Sequence, residues 1–565
     1  LNYLPILSWL KTYRRADFNG DLFAGIITAI LLIPQGIAYS LVAGLPPQFG
    51  LYASILPPLV YAILGTSRTL SVGCVAIAAI MIAQALHAPA VVQLGNPSQS
   101  AVILSAECGV IMLAMASLRM GSLVNFISHP VLTGFTSGAT LLIIGSQLPQ
   151  MFGLKSPDCA LNVTCYQNYV QATNVTTLLI SLFSIALLLF FGKPLTFLLK
   201  KINVSSGLIT AISKCGGLIV VIFATIAVFE WNLTAQHVAI VGEIPAGLPS
   251  LSLDFFDLKK WQILAAPASF IALIAYVESV AIAKVVANLR GEKIEPNQEL
   301  IALGFANFVS AISGGMPVAG SFSRTMVNYA AGARTQISMV VAAIILAVVV
   351  VFCSEWFSYI PKAVLAVIIL VAIVPLVKFR SVLHAWYYDK GDGIAELMTL
   401  IGVLILGIEE GIMLGIFLTF ISLLRKTSHP HIAVLGRIPN TPYYRNIKNH
   451  CIDCLETWNS LLLLRIDESI TFANINFIEE FITTELKAAP KVKHVVIVFT
   501  SVSDIDMTAL QALEQLNSNL KEMEISFNFA EVKHFVLVKL EKSHLFDQLN
   551  GQVFFDTDAA VKALI

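Results

Sequence analysis

Charge is what this chain most lacks: only 12% of its 565 residues are Asp, Glu, Lys or Arg, against roughly 25% in a soluble protein. With 57% hydrophobic residues and a mean hydropathy of +0.80, that shortage excludes an ordinary soluble globule. It leaves a polytopic membrane protein with some soluble remainder. Basic and acidic residues balance at 35 each, so no global positive field invites nucleic acid. Cysteine is sparse, eight in all, and gives no disulfide framework. Cys451 and Cys454 form a C-x-x-C near His450, His429 and His431. Structural zinc takes four placed ligands, so two reduced thiols in a cytosolic segment are the simpler reading, and no metal is expected. Cys159 and Cys165 flank a short stretch that pairs them only if it is extracytoplasmic. Asn162 and Asn174 open formal glycosylation sequons, meaningful only on a eukaryotic secretory route. The chain lacks H-E-x-x-H, G-x-S-x-G and an ATP-binding loop, which argues against an intramembrane enzyme, a primary pump or a bound cofactor. Residues 1–20 carry charges and two tyrosines before the first long apolar run, unlike a cleavable signal peptide.

What is present is a succession of apolar runs. A span needs roughly 20 apolar residues, or fewer if the helix is broken. Candidates fall at 22–42, 47–64, 75–86, 101–118, 130–149, 175–192, 207–229, 262–287, 297–313, 321–331, 335–353, 361–377, 393–408 and 411–425, about fourteen in all. Two are short, 75–86 and 321–331, and each follows a Gly/Ser-rich break. Short, interrupted segments at matching places in two halves point to an inverted-repeat transporter. With both termini cytoplasmic, the inner loops include Arg119, Lys200, Lys201, Arg290, Lys293, Lys378, Arg380, Lys390, Arg425 and Lys426. The outer loops hold Lys155, Lys259, Lys260 and Lys362. That bias follows the positive-inside rule and supports an even span count.

The run 303–336 is the most informative. Gly314, Gly315, Pro317 and Gly320 interrupt it, and Ser321, Ser323, Arg324 and Thr325 restart it. A helix that begins in mid-bilayer has free N–H groups at its positive end, which attracts anions. An arginine there is costly unless it serves a pathway. Small residues also permit close helix packing, but two matched breaks with an arginine favour an anion site. Glu278 lies in the middle of the eighth run, and an intramembrane carboxylate is a functional candidate by default. Ionised, it would pair with Arg324 and compete with the incoming anion; protonated, it would release the guanidinium, coupling proton entry to anion entry. The alternative is a static Glu278–Arg324 or Glu278–Lys284 pair that holds spans together.

Past residue 425 the pattern turns soluble. Residues 426–458 are polar and read as a linker and the start of a second domain. Strands are predicted at 460–466, 494–500 and 525–530, with helices near 474–488, 506–521 and 532–543, then a short strand and a terminal helix. Alternation of this kind makes a small sheet packed by helices. The domains expected are therefore 1–21, a cytoplasmic segment; 22–425, the membrane domain; 426–458; and 459–565.

Five ordered blocks carry a resemblance. IPQGIAYSLVAGLPPQFGLYAS (33–54), GTSRTLSVG (65–73), YVESVAIAK (276–284), NQELIALGFAN (297–307) and PVAGSFSRTMVN (317–328) are similar to the sulfate permease family, also called SulP or solute carrier family 26. The tail resembles the STAS domain that follows the membrane part in that family. The resemblance implies fourteen segments in two inverted seven-segment repeats, with a core part moving against a gate part and the short third and tenth segments meeting head to head. It also implies substrate contact by Gln35 and the nearby Tyr39, by Cys74, Val75 and Ala76 at the third segment, and by Ser321, Phe322, Ser323 and Arg324 at the tenth. A lone membrane glutamine would otherwise read as an interhelical hydrogen bond. One departure is Cys74, where the family usually has proline; it would loosen the helix start, add an N–H or bring a thiol to the site.

In the tail, aligning Asp506-Met-Thr508 with anti-sigma antagonist relatives puts Thr508 at their phosphorylated position, although Asp and Thr also cap ordinary helices. The expected function is secondary active transport of an inorganic anion, sulfate with proton symport first. A bicarbonate carrier with possible sodium coupling, a chloride or dicarboxylate exchanger, and an anion channel or voltage-responsive motor are the alternatives. The expected setting is the plasma or inner membrane, with surrounding lipid, a homodimer and a cytosolic partner of the STAS domain.

Overall fold

The computed structural model describes residues 4–11, 13–125, 127–154, 173–202, 209, 212–213, 215–245, 247–448 and 455–565. His450, Cys451 and Cys454, the Cys159/Cys165 pair, Lys155 and the sequon at Asn162 lie outside them. Asn174 is described, and there its side chain caps a helix by accepting from the Thr177 N–H at 3.0 Å. The chain divides into two compact units, Leu1–Ile416 and Phe417–Ile565.

The first unit is helical. Its first half holds α1 (Ile6–Leu10), α2 (Arg15–Val42), α3 (Pro47–Tyr52), α4 (Leu56–Leu64), β1 (Val72–Gly73), α5 (Ala76–His87), α6 (Pro89–Val92), α7 (Pro97–Ser117), α8 (His129–Met151), α9 (Val175–Phe191), α10 (Lys193–Lys201) and α11 (Gly216–Glu230). The second half holds α12 (Leu258–Arg290), α13 (Pro296–Ile312), β2 (Ala319–Gly320), α14 (Phe322–Ala330), α15 (Ile337–Phe357), α16 (Lys362–Ile373), α17 (Phe379–Tyr388), α18 (Lys390–Ile405) and α19 (Ile408–Ser428), the last crossing into the second unit. Each of the fourteen expected runs contains a helix. The run 47–64 is split into α3 and α4. Helix α17 was not expected as a separate element; none of its residues is buried. Its Trp386, Tyr387 and Tyr388 are the residue types that sit at membrane–water boundaries.

Both halves run long helix, second helix, short strand, short helix: α2, α3–α4, β1, α5, then α12, α13, β2, α14. The two strands pair antiparallel, Val72 with Gly320 and Gly73 with Ala319. Two positions need glycine for close approach. A Cβ on Gly50 would lie 2.0 Å from the Gly36 carbonyl oxygen, and one on Gly320 would lie 2.8 Å from the Leu70 side chain. The first keeps α3 against α2, and the second lets β2 lie on the segment leading into β1.

The second unit adds β3 (Ile432–Arg437), β4 (Tyr444–Asn446), β5 (Leu461–Ile466), α20 (Ile475–Ala488), β6 (His494–Val498), α21 (Met507–Glu522), β7 (Ser526–Ala530), α22 (His534–Glu541), α23 (His544–Gln548), β8 (Val553–Phe554) and α24 (Thr557–Leu564). The sheet order is β4-β3-β5-β6-β7-β8. Strands β5 to β8 are parallel, and β3 is antiparallel to both neighbours. Alternate residues pack on opposite faces. Leu462, Leu464, Val495, Ile497, Phe527 and Phe529 join the core beneath α20 and α21, while Leu461, Leu463, Val496 and Val498 pack against Ala560 and Val561 of α24. Covering both faces is why β5 and β6 read as unbroken apolar runs. Within the stretch 426–458, β3 and β4 complete the sheet, with β4 at its edge.

Candidate anion-binding site

The polar framework comes first. Asn307 on α13 accepts from the Val318 N–H at 2.9 Å and donates to the Val318 carbonyl at 3.0 Å, fixing the extended chain before β2. Ser279 on α12 accepts from the Gly320 N–H at 2.7 Å. Beyond the ladder, the Ser321 N–H reaches the Ser71 carbonyl at 2.9 Å, and the Ser71 N–H reaches Thr325 Oγ1 at 3.0 Å. The segment leading into β1 is pinned as well. Glu299 accepts from Tyr61 at 2.6 Å, from the Thr66 N–H at 2.8 Å and from the Thr66 hydroxyl at 2.5 Å. Gln336 donates to the carbonyls of Ser67 and Leu70, and Asn328 to that of Thr69. Buried backbone groups outside regular structure need such partners.

The two short helices start beside this ladder. Val75 is the N-cap of α5 and Ser321 that of α14, both extended, and neither side chain caps its helix. The first backbone bonds are from the Ala79 N–H to Val75 and from the Thr325 N–H to Ser321. The N–H groups of the first turns, Ala76 to Ala78 and Phe322 to Arg324, thus have no partner inside their helices, as helix geometry dictates. Since β1 and β2 are antiparallel, the helices leave the ladder in opposite directions with both positive ends beside it.

Arg324 lies between them, wholly buried. Its Nε donates to Ser71 Oγ at 3.3 Å, Nη1 to Gln35 Oε1 at 3.2 Å and Nη2 to the Cys74 carbonyl at 2.9 Å. All three acceptors are uncharged. A guanidinium has five N–H donors, so one on each terminal nitrogen is left over. Among the described residues Arg324 has no ion-pair partner. A buried cation without a counter-charge is expensive.

The structure brings most of the expected residues together. Gln35, just after Pro34 within α2, touches Arg324 directly. Tyr39 is buried one turn on. Val75 and Ala76 form the α5 start, and Ser321 is buried at the α14 start. Ser323 is half-buried, and Phe322 is 40% exposed. The Cys74 thiol is fully buried, its Sγ 3.6 Å from both Ser54 Oγ and the Gly50 carbonyl, while its carbonyl accepts from Arg324. Glu278, half-buried beside Ser279, is not among Arg324's partners, so the ion pair of the expected switch is not formed in this conformation. In the second unit Thr508 is exposed in the first turn of α21, and the cap there is Asp506, which accepts from the Ala509 N–H at 2.8 Å.

Sequence reading assigned no role to Ser71, Ser279, Asn307 and Glu299, and named Thr325 only as part of the restarted run. A carboxylate within an apolar run, as at Glu299, was the one signal available for any of them.

Broken helices meeting at a short ladder beside an uncompensated cation define a helical membrane transporter fold. The chain belongs to the sulfate permease family, which residues 18–399 match; residues 455–560 match the STAS domain. It is similar to high affinity sulfate transporter 2 of Stylosanthes hamata, 32% identical over 99% of this chain and 86% of that one. It is also similar to the chloroplastic sulfate transporter 4.1 of Arabidopsis thaliana, 32% identical over 98% of this chain and 81% of that one. The fold is that of the murine Solute Carrier 26 family member A9 anion transporter in the inward-facing state, with a TM-score of 0.87 at 22% identity over 99% and 94% of the two chains. The transmembrane domain of a cyanobacterium bicarbonate transporter, BicA, aligns with a TM-score of 0.61 at 21% identity over 71% of this chain and 98% of that one. The family consists of transporters rather than enzymes, and this chain is an integral membrane protein.

Proposed function

We propose that the chain carries sulfate across its membrane with a co-transported proton, by alternating access. The observation that carries the anion site is Arg324: buried, bonded only to neutral acceptors, and set where the unpaired N–H groups of α5 and α14 converge. Each helix end contributes up to about 2 kcal/mol toward an anion when partly buried. That is small beside the hydration of a divalent oxyanion, so Arg324, Gln35 and the Ser321 and Ser323 hydroxyls supply the remainder. The sulfate-transporting relatives, similar along almost the whole chain, favour sulfate as cargo over bicarbonate.

Glu278 supplies the proton site. Its negative form repels the anion and its neutral form admits it. The seven-segment halves are an inverted repeat, with the antiparallel β1–β2 contact at their meeting point. Both termini are cytoplasmic, in a plasma or inner membrane, and the chain works as a homodimer with the STAS unit open to a cytosolic partner. Proteoliposomes with labelled sulfate inside an imposed pH gradient test this. Uptake should rise with an inward proton gradient and be out-competed by unlabelled sulfate but not by bicarbonate. Sulfate flux indifferent to the gradient rejects symport, and current without coupled flux favours a channel.

A further inference from the structure

A second basic site lies away from the helix tips. A cavity of about 610 Å³ opens where α2 begins and α12 ends, lined by Arg68, Arg290 and Arg334. Its carboxylates are Asp17 and Glu292. Glu292 is shared between Arg68 at 3.7 Å and Arg290 at 4.0 Å, both beyond hydrogen-bonding reach. The Asp17 carboxylate is occupied at the start of α2, accepting from the Arg14 N–H at 3.0 Å. Arg290 donates to the backbone carbonyls of Ala333 and Arg334 and lies over the Tyr329 ring, 5.2 Å from its centroid. Asp21, which accepts from the Arg334 backbone, is bonded by uncharged donors: the N–H groups of Arg334 and Thr335, the Thr335 hydroxyl and Tyr13. The Arg334 side chain is exposed and has no ion pair among the described residues. Three arginines therefore line one cavity with two carboxylates, Glu292 loosely held and Asp17 bonded by a backbone N–H.

The surroundings narrow the occupant. The volume is that of a small-molecule site and exceeds what one tetrahedral oxyanion fills. Trp9, Tyr13 and Tyr329 also line it, and such amphipathic rings sit at headgroup level in membrane proteins. Basic pockets between spanning helices at that level take phosphorylated headgroups, and the planar arginine fork matches a phosphate oxygen pair. We propose that this cavity binds a phosphoryl group, carried by an anionic lipid headgroup or by soluble phosphate, clamped by Arg290 and Arg334 with Arg68 at the rim. The site is independent of the transport reading, since none of its residues touches the helix tips.

The test titrates the full chain in detergent with dioctanoyl phosphatidylinositol 4-phosphate, with dioctanoyl phosphatidylcholine and with inorganic phosphate, reading affinity by calorimetry. The phosphoinositide should bind more tightly than phosphatidylcholine, and Arg334→Gln should weaken it about fivefold, the effect of one basic side chain near a membrane surface. Arg68→Gln, which removes only a half-exposed, loosely paired side chain, serves as the second variant should the first not fold. Phosphate competing at equal affinity identifies the soluble source; failure of phosphate to compete identifies the headgroup. Equal binding of phosphoinositide and phosphatidylcholine with no phosphate binding, or unchanged affinity in both variants, overturns the proposal.

Discussion

Arg324 Nη1 donates to Gln35 Oε1 at 3.2 Å, joining residues 289 positions apart at one buried point. Gln35 follows the proline inside α2, and Arg324 sits in the first turn of α14. The amide oxygen orients the guanidinium without neutralising it, so the charge stays available to a ligand.

Arg324→Gln should abolish sulfate uptake, and Arg324→Lys should lower it at least tenfold, because an ammonium cannot reproduce a fork that bonds Ser71, Gln35 and the Cys74 carbonyl together. Gln35→Ala should raise KM more than it lowers the maximal rate. Proteoliposome uptake of labelled sulfate measures all three. An active Arg324→Gln variant would remove the central cation from the mechanism.

Glu278→Gln should transport sulfate with a flat pH profile, since the neutral amide mimics the protonated acid throughout. The measurement is initial uptake across pH 5 to 8 with and without a proton gradient. A profile identical to that of the native chain sinks the assignment of Glu278 as the proton site.

Cys74→Ala should leave sulfate KM within about twofold, because the residue's hydrogen bond to Arg324 is through its backbone carbonyl. The thiol is fully buried, so a membrane-impermeant thiol reagent should not inhibit through it. Inhibition that disappears in Cys74→Ala would show the thiol reaching the pathway.

Thr325→Val strips the Ser71 N–H of its acceptor. A buried donor left unsatisfied costs about 1–3 kcal/mol, so the midpoint of thermal unfolding in detergent should fall. The Asn307→Leu variant, which removes both bonds to Val318, should be worse. Unchanged midpoints in both would mean the ladder is held by other contacts.

In the second unit, burial and then the neighbouring Lys493 hold His494 below its usual range, and its Nδ1 lies 2.7 Å from Ser526 Oγ. The folded state therefore prefers neutral His494. Its contribution is complete above the unfolded value of roughly 6.5 and is lost as pH falls from there toward the lower folded value, where the unfolded chain binds the extra proton. Protection factors in β6 and β7, hydrogen-exchange rates corrected for the intrinsic slowing of exchange in acid, should fall between pH 7 and 5, and His494→Gln should flatten that dependence.

Composition and run length alone determined that this chain is a membrane protein with a soluble tail, because apolar spans and charge asymmetry are local properties written directly in the residues. The same holds for the two interrupted helices, whose Gly/Ser breaks are visible at 65–74 and 313–321, and for the α/β alternation of the tail. Sequence spacing did not give the partners of Arg324. A fixed pair with Glu278 was as reasonable from the residues as the set the fold selects, since both glutamate and glutamine lie in long helices near mid-membrane. Only the tertiary structure placed Gln35, Ser71 and the Cys74 carbonyl around the guanidinium, turned the Cys74 thiol toward Ser54, and used Ser279, Asn307 and Thr325 to hold β1 against β2. Which of several possible partners a buried donor meets depends on how distant helices pack, and packing geometry is a property of the whole chain that no local stretch encodes.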